Sequence, residues 1–187
     1  LNEPLGYFAD STFFELFRYE FLEGDGLKAL AEPNSLVISE EIALKMFGRE
    51  PALGRVLRVS NSWFDGGEGD LKITGVFRQT TAPSHLDGRF FMSMNSGEMG
   101  RFVAANTSNF LNNNMFSTYI RLQKGCDSKG LETKMTEFIE KRTAADSKKQ
   151  GYSKRQFLVK VPDVHLSGIG QTGDRFVPGS NKYLFLL

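Results

Sequence analysis

One cysteine, Cys126, stands among 187 residues, so no disulfide can form within the chain. A disulfide scaffold is thereby excluded, and the commonest sign of an oxidising compartment is missing, without proof of a reducing one. The two histidines, His85 and His165, with that cysteine are too few soft ligands for an ordinary structural zinc site. Neither sign of charge prevails: 23 Lys and Arg against 22 Asp and Glu leave a net +1. No basic run is longer than a pair such as Lys148-Lys149, so the stripe that a nucleic-acid partner requires is absent. No apolar run approaches the ~20 residues of a spanning helix. The start, Leu1-Asn2-Glu3-Pro4, lacks both an initiator Met and a signal peptide's charged and apolar regions. The last residues, Tyr183 to Leu187, begin an apolar run that stops. The expectation is a piece of a longer chain, cut just before a membrane span.

What is present is ordinary for a globular chain: 40% apolar and 24% charged residues. A compact chain of this size buries roughly 70% of its unfolded surface, enough for a core without staples. Phenylalanine is the exception, with 17 Phe against 5 Tyr and 1 Trp. Phe13, Phe14, Phe17, Phe77 and Phe138 fall on periodic apolar faces and read as core.

Along the chain, Asp10-Ser11-Thr12 caps a short helix carrying Phe13, Phe14 and Phe17. Tyr19 to Leu22 reads as extended, closed by Gly24 and Gly26. Ser35 to Ile38 is a buried-strand pattern, and Ser39 caps a helix with Glu40 and Glu41 in its first turn, Ile42 and Met46 on its stripe and Gly48 at its stop. Alternation predicts strands over 55–59, 71–77 (Leu71, Ile73, Gly75 and Phe77 on one face) and 89–94, with a glycine-rich turn at 65–70. Residues 96–115 look irregular and rich in asparagine. Strands are predicted over 116–122 and 157–161, with a helix over 128–145 between them and Leu131, Met135, Phe138 and Ile139 on its stripe. The fold class expected is α+β (α/β), its β-rich middle inserted between two halves of one layer.

Motifs that carry chemistry are weak. Gly168-Ile169-Gly170-Gln171-Thr172-Gly173 has the letters of a dinucleotide loop, but the chain ends at Leu187, before the acidic residue that such a site requires. Ser84-His85-Leu86-Asp87 and Asp163-Val164-His165 place triad residue types together without a Gly-x-Ser-x-Gly elbow, and read as surface loops. Cys126 follows Gly125 at a helix start, with no evident partner. Asp65, Glu68 and Asp70 lack the spacing of a calcium loop. Asn106-Thr107-Ser108 is a glycosylation sequon, meaningful only in a eukaryotic secretory pathway. No catalytic residue, cofactor or metal site is predicted. Phe102, Phe110 and Met115, lying in the polar stretch, read either as a lid over the sheet or as a partner-contact surface.

An ordered series of motifs spans almost the whole chain: Ala9-Asp10-Ser11 with Phe13-Phe14-Glu15-Leu16-Phe17, then Phe21-Leu22-Glu23-Gly24-Asp25, Asn34 to Glu40, Phe47-Gly48, Pro51 to Arg55, Ile73 to Phe77, Tyr119 to Leu122 and Asp163 to Leu166. In these the sequence resembles the MacB-type periplasmic core domain of bacterial ABC transporter permeases of the MacB/FtsX class. The resemblance implies a βαβ-based porter subdomain at 1–40 and 116–175, interrupted by a β-rich, sabre-like insertion at 41–115, with 176–187 approaching a membrane span. It also implies a position on the periplasmic side of the cytoplasmic membrane, within a multi-pass protein tethered through flanking helices. The phosphate-binding Gly-x-x-x-x-Gly-Lys-Ser/Thr loop does not occur, so ATP hydrolysis belongs to an ABC ATPase subunit or domain.

The further partners implied are a second permease copy, forming a dimer, and a periplasmic adaptor or lipoprotein cargo. The work implied is mechanotransmission, the passage of cytoplasmic hydrolysis into periplasmic movement without catalysis in this domain. The alternative is a periplasmic small-molecule-binding or sensor module with Phe102, Phe110 and Met115 around a pocket.

Overall fold

A computed structural model describes residues 2–3, 5–60, 68–79, 86–108, 110–112 and 116–164. The chain divides into two compact units, Leu1–Ser108 and Asn109–Leu187.

The first unit is built on one mixed sheet. Its strands are β1 (Gly6–Ala9), β2 (Phe21–Gly24), β3 (Ser35–Ser39), β4 (Val56–Ser60), β5 (Glu68–Phe77) and β6 (Phe90–Ser93). The order is β1-β6-β3-β5-β2, with β4 also on β5. β1 runs parallel to β6 and β3 parallel to β5, while β6 is antiparallel to β3. Every residue of β3 is buried, as an uninterrupted Leu-Val-Ile run in the middle of a sheet covered on both faces must be. β5 is the longest strand, and one of its edges serves two neighbours. β4 pairs with its first half, Glu68 to Lys72, and β2 with its end, Gly75 to Phe77. Strands from both 1–40 and 41–115 therefore share hydrogen bonds in one layer.

Helix α1 (Phe13–Leu16) and helix α2 (Glu40–Phe47) lie between strands in the chain. Ser39 ends β3 and caps α2, its Oγ accepting from the Ile42 amide at 3.4 Å, and Gly48 closes the helix at φ 65°. The α2 stripe differs from expectation at one place. Ile42 is buried with Ala43 and Phe47 packed beside it, whereas Met46 is 42% exposed. At 100° per residue, Met46 lies between Ile42 and Ala43 on the helical wheel, so its place on the stripe does not decide its exposure. Asp10 does not cap α1 but folds an Asx turn, accepting from the Thr12 amide at 2.8 Å and the Thr12 hydroxyl at 2.7 Å.

Two cores occupy the two faces. One gathers Leu36, Ile38, Ile42, Ile73, Val76 and Met92. The other is largely aromatic, with Phe14, Phe77 and Phe91 buried and Tyr7, Phe13, Tyr19 and Phe21 packed on them. Ring centroids lie 4.8 Å apart for Phe13–Phe91 and 5.0 Å for Tyr19–Phe77. The phenylalanine surplus finds its use here.

The expected single face Leu71, Ile73, Gly75, Phe77 is divided in two. Leu36 pairs with Ile73 but Val37 with Gly75, so Thr74 is an extra residue in β5. That bulge moves Val76 onto the face of Leu71 and Ile73 and Phe77 onto the other. A helix also forms where irregular chain was expected, α3 (Gly97–Asn106), with Met99 buried. Gly97, Gly100 and Asn106, weak helix formers, hide its Met99-Phe102-Val103 periodicity.

The second unit holds α4 (Ser128–Gln150) and a one-turn 3-10 helix at Val161–Asp163. α4 is longer than predicted and ends at Gly151, whose φ is 77° and whose N–H reaches the Ser147 carbonyl at 2.8 Å. Of the expected stripe, Ile139 is buried while Phe138 is 49% exposed. The predicted strands over 116–122 and 157–161 do not form, and no strand of this unit lies among the described residues. Alternation makes a strand only beside a hydrogen-bonding neighbour. Among the described residues no helix is long and apolar enough to cross a membrane.

Candidate functional site

Of the three residues singled out as a contact surface, two are described, one in each unit. Phe102 is half-buried on α3 in the first unit, and Phe110 belongs to the second. Met115 lies outside the described residues. Phe110 stacks edge-on against Phe138 at 5.9 Å, and the Arg142 guanidinium stands 5.4 and 5.2 Å from the two ring centres, a cation–π arrangement. The Phe110 carbonyl accepts from Lys154 Nζ at 3.0 Å.

Among the described residues no group of three or more His, Cys, Asp or Glu side chains could hold a metal. Ser84, His85, Asp65, His165 and Gly168 to Gly173 lie outside the described residues, as does the side chain of Glu68. Asp87 accepts from the Tyr7 hydroxyl at 2.8 Å, and Asp70 sits 3.6 Å from Arg58. Cys126 is exposed, one residue before the α4 N-cap Asp127.

The most built surface feature is the turn that follows β2. Gly24 takes φ 85° and pairs with Gly75, and a Cβ there would stand 2.4 Å from the Thr74 carbonyl oxygen. Asp25 then accepts from the Leu27 amide at 3.0 Å, and its carbonyl accepts from the Lys28 amide at 3.0 Å, closing the turn. Just before it, the Glu23 carboxylate accepts from the amides of Ala52 and Leu53 at 3.1 and 2.9 Å, tying the segment before β4 to β2. Thr74, at the bulge, has its hydroxyl 2.6 Å from the Ala29 carbonyl and 3.2 Å from that of Leu36.

Two open cavities share Gly24 and Asp25 as a wall. One, of about 370 Å³, is lined by Phe14, Tyr19, Phe21 and Leu27. The other, of about 500 Å³, lies between Lys28, Leu53, Lys72 and Thr74, where β5 passes from β4 to β2. Neither is lined by Phe102 or Phe110. The Tyr19 hydroxyl donates to the Leu86 carbonyl at 3.1 Å, and its pKa is pushed up to about 12 by burial and then by the negative charge of Asp87. At neutral pH the phenol is a neutral donor. The sequence showed the two glycines of this turn as a mere stop; the paired signals missed there were an apolar Leu27 inside a polar turn and Lys28 beside it.

No curated protein matches the sequence. Among solved structures, a domain attributed to a permease of Porphyromonas gingivalis superposes with a TM-score of 0.51 at 25% identity, over 72% of this chain and 58% of that one. The periplasmic region of MacB from Actinobacillus actinomycetemcomitans aligns with a TM-score of 0.40 at 14% identity, over 76% of this chain and 62% of that one. This chain thus spans less than two thirds of either solved chain. The family model described as the MacB-like periplasmic core domain matches residues 2–138, which include the whole six-stranded sheet and the first half of α4. With most of its length under that match, the chain belongs to the MacB-like periplasmic core domain family.

Proposed function

We propose that this domain works, without chemistry of its own, on the periplasmic side of the bacterial cytoplasmic membrane as part of a multi-pass ABC transporter permease. The family match over residues 2–138 carries the reading. In it, an ABC ATPase subunit or domain hydrolyses ATP in the cytoplasm, and this domain passes the movement on to export or other periplasmic work. A domain moved from a distance does work only by binding a partner differently in its two states. The partners in this reading are a second permease copy and an adaptor or lipoprotein cargo. Phe102, Phe110 and Met115 remain proposed contacts, and the porter (1–40, 116–175) and insertion (41–115) remain proposed regions. Because β5 and β6 pair with β3, residues 1–40 and 41–115 contribute to one continuous sheet in the first unit, and neither stretch is offered as folding alone.

The test is reconstitution of the full-length permease with its ATPase, with and without this domain. ATP turnover that persists while transport stops supports the reading. Transport that continues unchanged without the domain overturns it.

A further inference from the structure

The two cavities beside the β2 turn differ in chemistry in a way that specifies a ligand. The first is walled by three aromatic rings, and Leu27 at its mouth is 62% exposed. The second presents Lys28 and Lys72, neither of which pairs with a carboxylate among the described residues, beside Leu53, which is 47% exposed. The one acid on the shared wall, Asp25, accepts from the Leu27 amide and keeps its charge, so with Lys28 and Lys72 the wall of the second cavity is net positive by one. Leu27 and Leu53 give the two cavities exposed apolar rims against which an apolar side chain can bury area. Two ammonium groups against one carboxylate leave that wall net positive, which favours an acidic group.

We infer that the surface around Gly24–Lys28 docks an extended peptide segment of a partner protein, seating an apolar side chain against Phe14, Tyr19 and Phe21 and an acidic side chain between Lys28 and Lys72. This deepens the docking part of the proposed function by naming the partner's chemistry. Peptide binding is measured without transport, so the two can fail separately.

The probe is the acetylated, amidated heptapeptide Gly-Ser-Phe-Ala-Glu-Ser-Gly, titrated into the isotope-labelled chain and followed by amide shifts in NMR. Shifts are expected at Gly24 to Lys28, Leu53, Gly54 and Lys72 to Thr74. Replacing the peptide's Glu by Gln is expected to weaken binding about threefold to tenfold, as for exposed charge pairs acting together. In a K28Q/K72Q double variant, whose changes are at exposed positions, the Glu and Gln peptides are expected to bind alike. Absence of shifts at millimolar peptide, shifts confined to other surfaces, equal binding of the two peptides by the unaltered chain, or discrimination surviving in the double variant would each overturn the inference.

Discussion

Ile73 and Phe77, four residues apart on one strand, pack on opposite faces of the sheet. In a regular strand they would share a face, because side chains alternate with a period of two. Thr74 breaks the count: it is the residue of β5 left over between the Leu36–Ile73 and Val37–Gly75 pairs. Its hydroxyl points at the carbonyls of Ala29 and Leu36, so the bulge is held by a side-chain hydrogen bond as well as by packing.

Thr74→Val keeps the β-branched shape and removes the hydroxyl. It is expected to cost about 1–2 kcal/mol, the range for a part-buried hydrogen bond whose acceptor is left unpaired. Urea denaturation should show a lower midpoint with an unchanged slope. An unchanged midpoint would mean that packing alone fixes the bulge.

Gly24 and Gly48 offer a paired comparison. Both have positive φ, 85° and 65°, but an added Cβ at Gly24 meets the Thr74 carbonyl at 2.4 Å, while at Gly48 nothing lies within 4 Å. Gly48→Ala is expected to cost only the backbone strain, on the order of 1 kcal/mol. Gly24→Ala adds a clash with main chain and is expected to cost at least about 2 kcal/mol more, as overpacking does when nothing flexible can yield. Equal losses in thermal melts of the two variants would refute the steric account.

Glu23 holds the segment before β4 through two amide donors. Glu23→Ala leaves those amides without their charged acceptor and is expected to cost about 1.5–3 kcal/mol, with Glu23→Gln losing roughly half as much. Hydrogen exchange should quicken first at the Ala52 and Leu53 amides. Exchange rates that stay the same there in Glu23→Ala would show that the carboxylate is incidental.

The Tyr19 phenol has its pKa raised to about 12, by burial first and the Asp87 charge second, against about 10 for an unfolded chain. The native state therefore holds this proton more tightly than the unfolded one. The associated stability is complete below pH ~10 and is lost as pH rises from there through ~12. Tyrosinate absorbance should show a late-titrating group that is gone in Tyr19→Phe. The stability of that variant should also fall less steeply across the same interval. Titration of every tyrosine near pH 10 would count against the buried phenol.

Much of the first unit was legible in the residues themselves. The Ser35–Ser39 strand running directly into a capped helix follows from a short apolar run, a serine and two acids, all of them local signals. The aromatic surplus announced a phenylalanine core. Family membership too was carried by local motifs in order along the chain. Other features have causes outside their own segment. Whether 116–122 and 157–161 become strands depends on a neighbouring edge, and among the described residues of their unit there is none. Phe138 has the spacing of a core residue, yet what covers a helix face is decided by other elements.

The sequence by itself determined the element types around Ser39, the impossibility of a disulfide within this chain and the family, because these depend on residue identity and short-range order. The tertiary structure alone decided the bulge at Thr74, the sorting of Ile73 and Phe77 to different cores, and the pairing of an aromatic cavity with a basic one around Gly24. The first two arise in the register between β3 and β5 and the third where β2 and β4 share the other edge of β5, and hydrogen-bond register across strands leaves no trace in the spacing of any single one.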